Sequence, residues 1–333
     1  MFDIPGVVIL VAVIAAFGFL ATRAWKLKRA YLKWPGVFIS GLLTLIPTAL
    51  LVLALIGFYK LNESYGNPIA VIQVAGTPEQ IARGEKLANI CVSCHTPDDV
   101  LPLSGSNFAA KFDFPPLGTL YAPNLTPSGN IGSWTDGEVM RAIREGVHKN
   151  GRSLLIMPAG GFRNMSDDDV QALVAYLRSQ PSTGEPTPEN RFNVLGAIFM
   201  NLSDFRTAQQ PAGSVTTSQA GTPEYGKYMV DIIGCRDCHG PELQGKVDSG
   251  QPGPPAGPNL TKIVPQWTEE QFMTFFNTGT MPDGRKVPIL TLASGFSEPR
   301  MPWPMVRAAT TDDELKAMYE YLHSLPVMDN PAR

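Results

Sequence analysis

The sequence predicts an all-α chain in which a two-helix membrane hairpin at residues 1–60 is followed by two tandem small helical domains, 76–181 and 221–327, joined by a linker at 182–220. Three observations carry this prediction. Two long uncharged apolar runs open the chain. The pattern CxxCH occurs twice. The residues around each copy recur in the same order.

No charge falls between Ile4 and Thr22, and none falls in the 26 residues from Trp34 to Tyr59. A membrane-crossing helix needs about 20 mostly apolar residues, so spans are expected at about 4–22 and 34–59. Pro47 lies inside the second, which membrane helices tolerate. Trp25, Tyr31, Trp34 and Tyr59 fall at the ends, where interfacial aromatics collect. The loop between the runs carries Arg23, Lys26, Lys28, Arg29 and Lys33 and no acid. The positive-inside rule puts that loop in the cytoplasm and everything after Lys60 on the far side of a multi-pass cell membrane. A cleaved signal peptide would begin with positive charge. Here Asp3 is the only charge before Arg23, so both helices are expected to be retained.

Past residue 60 there are 21 Lys and Arg against 29 Asp and Glu, a net charge of −8. That balance argues against nucleic acid as a partner and favours a protein presenting a basic patch.

Cys91-Val92-Ser93-Cys94-His95 and Cys235-Arg236-Asp237-Cys238-His239 use all 4 cysteines. CxxCH is the attachment signature of c-type haem. Sulfurs three residues apart on one helical turn reach the two porphyrin vinyl groups, and the next imidazole lands beneath the iron. Zinc needs four ligands, and neither copy offers a second cysteine pair. A redox dithiol would call for a βαβ context, which is missing. Two covalently attached haem c groups are therefore expected, held by Cys91, Cys94, Cys235 and Cys238, with His95 and His239 as iron ligands.

The repeat extends well beyond CxxCH. Gly76-Thr77-Pro78-Glu79 matches Gly221-Thr222-Pro223-Glu224, and Pro123-Asn124-Leu125-Thr126 matches Pro258-Asn259-Leu260-Thr261. Trp134-Thr135 and Trp267-Thr268 each precede a Glu or Gln three residues past the Thr, which makes a capping box and a helix start. Gly146 and Gly279 should close those helices, and Ser166 and Thr310 should open the last one in each domain. In the linker, prolines and a Ser/Thr/Gln-rich run surround an apolar patch at 192–205 whose packing partner the sequence leaves open.

Each iron needs a further ligand, for which Met is the usual choice. From His95 to Met157 and from His239 to Met301 the separation is the same 62 residues, so Met157 and Met301 are the expected ligands. Met165 competes at the first site, and Met281 or Met305 at the second. The remaining histidines, His148 and His323, read as solvent-facing. A histidine ligand is usually held by a hydrogen bond from its other ring nitrogen, and the carbonyls of Pro123 and Pro258 are placed to accept one. Arg152 and Arg285 are expected to grip propionates as guanidinium–carboxylate pairs.

These motifs resemble the class I cytochrome c family over about 76–181 and 221–327. They are most similar to the cytochrome subunits of membrane-bound alcohol and aldehyde dehydrogenases. The resemblance implies that each CxxCH binds haem, that Pro123 and Pro258 orient the histidines, and that Met157 and Met301 are axial. Those subunits usually carry three haems and a different anchor, so which respiratory or photosynthetic complex this chain would serve stays open. The function expected is extracytoplasmic electron transfer, within a larger redox complex and between protein donor and acceptor, with no chemistry of the chain's own. A dihaem peroxidase is the alternative.

Overall fold

The structure is a computed structural model that describes residues 3–111, 116–203, 205–247, 255–289 and 301–330. Helices α1 (Ile4–Trp25) and α2 (Ala30–Asn62) open the chain, each slightly longer than the expected span. Ala24 faces Gly36 and Gly18 faces Thr44, so the two helices run antiparallel. Both are long and apolar enough to cross a membrane. Pro47 lies within α2, where Thr44 and Thr48 donate their hydroxyls to carbonyls one turn back, each at 2.7 Å. At the closed end Trp25 and Trp34 meet edge to face at 6.0 Å, with Lys33 Nζ 4.4 Å above the Trp25 ring.

The first helical unit comprises α3 (Pro78–Ala88), a short 3-10 turn (Asn89–Cys91), α4 (Val92–His95), α5 (Phe108–Lys111), α6 (Asp136–Glu145), α7 (Ala159–Phe162) and α8 (Asp167–Ser179). The linker contains α9 (Val194–Ser203). The second unit comprises α10 (Pro223–Ile233), α11 (Cys235–His239), α12 (Leu260–Ile263), α13 (Glu269–Thr278), α14 (Trp303–Ala309) and α15 (Asp312–Ser324). The all-α expectation needs one correction. Strands β1 (Gly118–Thr119) and β2 (Arg191–Phe192) form a short antiparallel pair that ties the linker to the first unit.

The sequence repeat has a structural counterpart. Helix α3 packs on α8, and α10 packs on α15. The approach is so close that a Cβ at Gly84 would strike the carbonyl of Ala172, and one at Gly226 the carbonyl of Ala317. Thr135–Glu138 and Thr268–Gln271 form the expected capping boxes of α6 and α13, and Gly146 and Gly279 end those helices at φ 65° and 69°. Only glycine adopts such a left-handed conformation at little cost. Ser166 caps α8 as expected, but the last helix starts one residue later than expected. Thr311, not Thr310, is its cap, because Glu314 completes a capping box with Thr311. Thr310 instead closes α14, its hydroxyl donating to the Val306 carbonyl at 2.8 Å.

The two units share a continuous core, Leu87, Val170 and Val174 of the first joining Met229, Leu315 and Met318 of the second. A second core sits where the linker meets the hairpin. There Ala197 and Met200 of α9 and Phe192 pack on Ala54, Phe58 and Leu61 of α2, so the apolar linker patch finds its place against the end of the second long helix.

Candidate functional site

The local fold explains why the first histidine is held rigid. Helix α4 ends at His95, whose carbonyl accepts from Gly105 N at 2.7 Å. The His95 ring is 9% exposed, and its Nδ1 lies 2.8 Å from the carbonyl oxygen of Pro123. A carbonyl can only accept, so Nδ1 carries the proton and Nε2 keeps a free lone pair. Burial pushes the imidazole pKa below its usual value, although the Pro123 bond works the other way. The ring is thus neutral, the form in which histidine binds iron.

The second unit reproduces this. His239 ends α11, its carbonyl accepts from Gly245 N at 2.8 Å, and its Nδ1 lies 2.8 Å from the Pro258 carbonyl. Burial lowers its pKa likewise. The cysteines precede the histidines on the same turns, and all four are half-buried free thiols. Burial is the main cause raising the pKa of each, to about 12 for Cys91 and Cys235 and about 11 for Cys94. None is poised as a thiolate, the state a metal-thiolate or redox dithiol site needs.

His95, Pro123, Met157 and Arg152 line one cleft, open to solvent, with Leu125, Ile131, Trp134, Ile143 and Leu154 among its apolar walls. An imidazole and a thioether in one apolar cleft, beside two thiols on the turn that bears the imidazole, suit a covalently held haem. The competitor Met165 is 1% exposed in the core shared by the units.

In the second unit Met301 is half-buried beside the core and donates its backbone N–H to the Pro288 carbonyl at 3.2 Å. The neighbouring stretch 290–300 lies outside the described residues. Met305 turns its sulfur towards the first unit, 4.0 Å from the Ser93 hydroxyl. Met281 is half-buried in the turn after α13. The two arginines differ. Arg152 is on the cleft wall, whereas the Arg285 side chain is 75% exposed and paired with Asp283 at 2.7 Å.

Sequence reading missed several parts of the first cleft. His148, expected to face solvent, lines it instead and packs edge to face on Trp134 at 4.6 Å. His323 is exposed, as expected. Linker residues Thr187–Asn190 also line the cleft. They are held by Asn130, which exchanges two 2.9 Å bonds with the Thr187 backbone, and by Asn190, which accepts from Tyr121 N at 2.6 Å. Asn124 of the first Pro-Asn-Leu motif donates to the Thr183 and Glu185 carbonyls at 2.7 and 3.1 Å. Asn259 of the second donates to the Met328 carbonyl at 2.9 Å. In both units this Asn fastens the segment that follows the last helix. The repetition of Pro-Asn-Leu-Thr was the available signal, but it did not reveal the partner.

Residues 81–181 match the cytochrome c family. The chain is 28% identical over 294 residues to the cytochrome c subunit of the quinone alcohol dehydrogenase of Gluconacetobacter polyoxogenes, a match covering 78% of this chain and 59% of that protein. It is 31% identical over 175 residues to the gluconate 2-dehydrogenase cytochrome c subunit of Pantoea cypripedii, covering 48% of this chain and 38% of that one. It is 28% identical over 177 residues to the fructose dehydrogenase cytochrome subunit of Gluconobacter japonicus, covering 49% of this chain and 36% of that one. The chain thus spans less than two thirds of the length of each of these relatives.

Proposed function

From a cytochrome c domain at residues 81–181, which implies covalent haem c, we propose that the chain is a membrane-anchored cytochrome with two haem c groups, one per helical unit, acting as the electron-transfer subunit of a dehydrogenase complex. The observation that carries the second haem is the duplicated histidine geometry: His95 on Pro123 and His239 on Pro258, each at 2.8 Å, each following a CxxC pair.

In this reading Cys91 and Cys94 hold one group and Cys235 and Cys238 the other. Bound haem supplies a one-electron centre whose potential the protein sets by ligand and burial. His95 and His239 present a fixed, neutral Nε2. Met157 and Met301 would offer thioethers as further iron ligands, and Arg152 stands at the cleft wall for a propionate. Arg285 would have to leave Asp283 to do the same.

Helices α1 and α2 are the anchor. The cationic loop 23–33 would stay in the cytoplasm, placing both units on the periplasmic side of the cell membrane. Since the relatives include cytochrome subunits of alcohol and gluconate dehydrogenases, a dehydrogenase subunit would be the electron donor and a membrane or soluble redox partner the acceptor. Nothing favours the peroxidase alternative, which needs an iron left open where Met157 lines the cleft.

The test is spectroscopic. Met157→Ala and Met301→Ala should each lower one of two midpoint potentials and generate a high-spin, CO-binding fraction. Unchanged spectra in either variant would refute that ligand.

A further inference from the structure

We propose that α9 is a third membrane-contacting element, lying in the polar–apolar boundary of a phospholipid bilayer with Leu195 and Leu202 among the acyl chains. This rests on the reading of α1 and α2 as membrane-spanning.

The outer face of α9 is the first observation. A surface helix of a water-soluble protein normally turns charged and polar residues outward. Helix α9, with the sequence VLGAIFMNLS, has no charged residue. Gly196, Ala197 and Met200 are buried on its inner face. Leu195 and Leu202, seven residues apart, share the opposite face, flanked by Ile198 and Phe199, which are half-buried against the core between the linker and the hairpin. On that face Leu195 is 60% and Leu202 71% exposed.

Its level along the hairpin is the second. Asp3 caps α1 by accepting from Gly6 N at 3.0 Å, and its other carboxylate oxygen accepts from Val194 N, the first residue of α9, at 3.2 Å. Near the other end of α9, the Asn201 carbonyl accepts from Lys60 Nζ, in the last turn of α2, at 3.4 Å. Midway, Ala197 seats against Gly57 closely enough that a Cβ there would strike its carbonyl. Helix α9 therefore runs across the open end of the hairpin.

The 22 residues of α1 span about 33 Å at 1.5 Å per residue, close to the ~30 Å hydrocarbon thickness of a bilayer. The first turn of α1 thus falls at the boundary, and α9 touches that turn. Tyr59, 70% exposed in the last turn of α2, suits the same layer. An uncharged apolar stripe at this depth is covered by lipid, continuous with the lipid around α1 and α2. The first CxxCH unit, packed on α9 through Phe108 and Leu120, is thereby held at the membrane surface.

Photolabelling of the unaltered full chain tests this. The protein is reconstituted into phosphatidylcholine vesicles that contain a phosphatidylcholine with a diazirine near the top of one acyl chain. After illumination, adducts are mapped by peptide mass spectrometry. Arg191 and Arg206 release α9 whole in one tryptic peptide, 192–206. The expected result is adducts on Leu195, Leu202 and their face, alongside adducts in α1 and α2, with none on residues 325–330. An unmodified 192–206 peptide beside labelled α1 and α2 would overturn the inference and leave the anchor standing. Absence of label from α1 and α2 would overturn the anchor itself, and with it the lipid assignment of α9. Labelling of 192–206 equal to that of 325–330 would mean non-specific reaction and would also overturn the inference.

Discussion

Arg83 in α3 grips the carboxylate of Asp169 in α8 through two nitrogens, at 2.7 and 3.0 Å. Its third nitrogen reaches Glu314 of α15, in the other unit, at 2.6 Å. Tyr228 donates to Asp169 at 2.6 Å and Tyr225 to Glu314 at 3.0 Å, so both carboxylates are shared across the boundary between units. Burial opposes the charge on Arg83, but the two carboxylates outweigh it and raise its pKa. Burial is also the main cause raising the phenol pKa of both tyrosines, so they remain donors at any physiological pH.

Arg83→Met leaves two carboxylates, 10% and 8% exposed, without their cation. Stranding buried charge in this way costs about 3 kcal/mol, the lower end of the usual range because Arg83 itself is 21% exposed. Unfolding of the detergent-solubilised protein, followed by far-ultraviolet circular dichroism, should show that loss. Arg83→Lys should recover less than half of it, since an ammonium cannot fork between two partners as a guanidinium does. A silent Arg83→Met would mean that the cluster is not a clamp.

Gly84→Ala and Gly226→Ala each place a methyl against a carbonyl of the facing helix. Overpacking of this kind costs about 1–3 kcal/mol. Arg83 and Tyr225, the residues just before the two glycines, are bonded at 3.2 Å, so the double variant should depart from the sum of the single losses. Equal losses would reflect the same helix crossing in both units, and markedly unequal ones would argue against that equivalence.

The elements most legible in the sequence were those written by local chemistry. The capping boxes at Thr135 and Thr268, the left-handed stops at Gly146 and Gly279, and the two long apolar helices follow from residues within a few positions of each other. What distant segments do to one another was not legible. Arg83 looks like an ordinary helix-surface arginine until Glu314 arrives 231 residues later. Nothing near Thr187 announces that Asn130 will pin it over the first cleft. Thr310 and Thr311 were ambiguous because each has an acid three residues on, and only Glu314 reaches back far enough to close the box. His148 was misread because its Gly/Asn-rich surroundings do imply a turn, but the turn folds inward onto Trp134.

His148 gives the first cleft a pH response. Burial is the main reason its pKa lies below the ordinary 6.5, with Arg152 and Lys149 adding to the effect and Asn150 opposing it. The ring is therefore neutral at neutral pH and gains its charge only as pH falls through that lowered value. A positive charge on the cleft wall favours the electron-richer state of whatever is bound there. The midpoint potential of the first site should rise as the solution is made more acidic through this range, and His148→Gln should lack that rise. Potentiometric titrations at several pH values compare the two. An identical pH dependence in wild type and variant would place the titrating group elsewhere.

If each helical unit holds one iron site, haem content per polypeptide measures it directly. Quantified by alkaline pyridine absorbance against protein mass, the purified full chain should carry two haem c groups, and a Cys235→Ala/Cys238→Ala variant that keeps the first pair should carry one. A single haem in the unaltered chain, or no loss on removing the second pair, would contradict it.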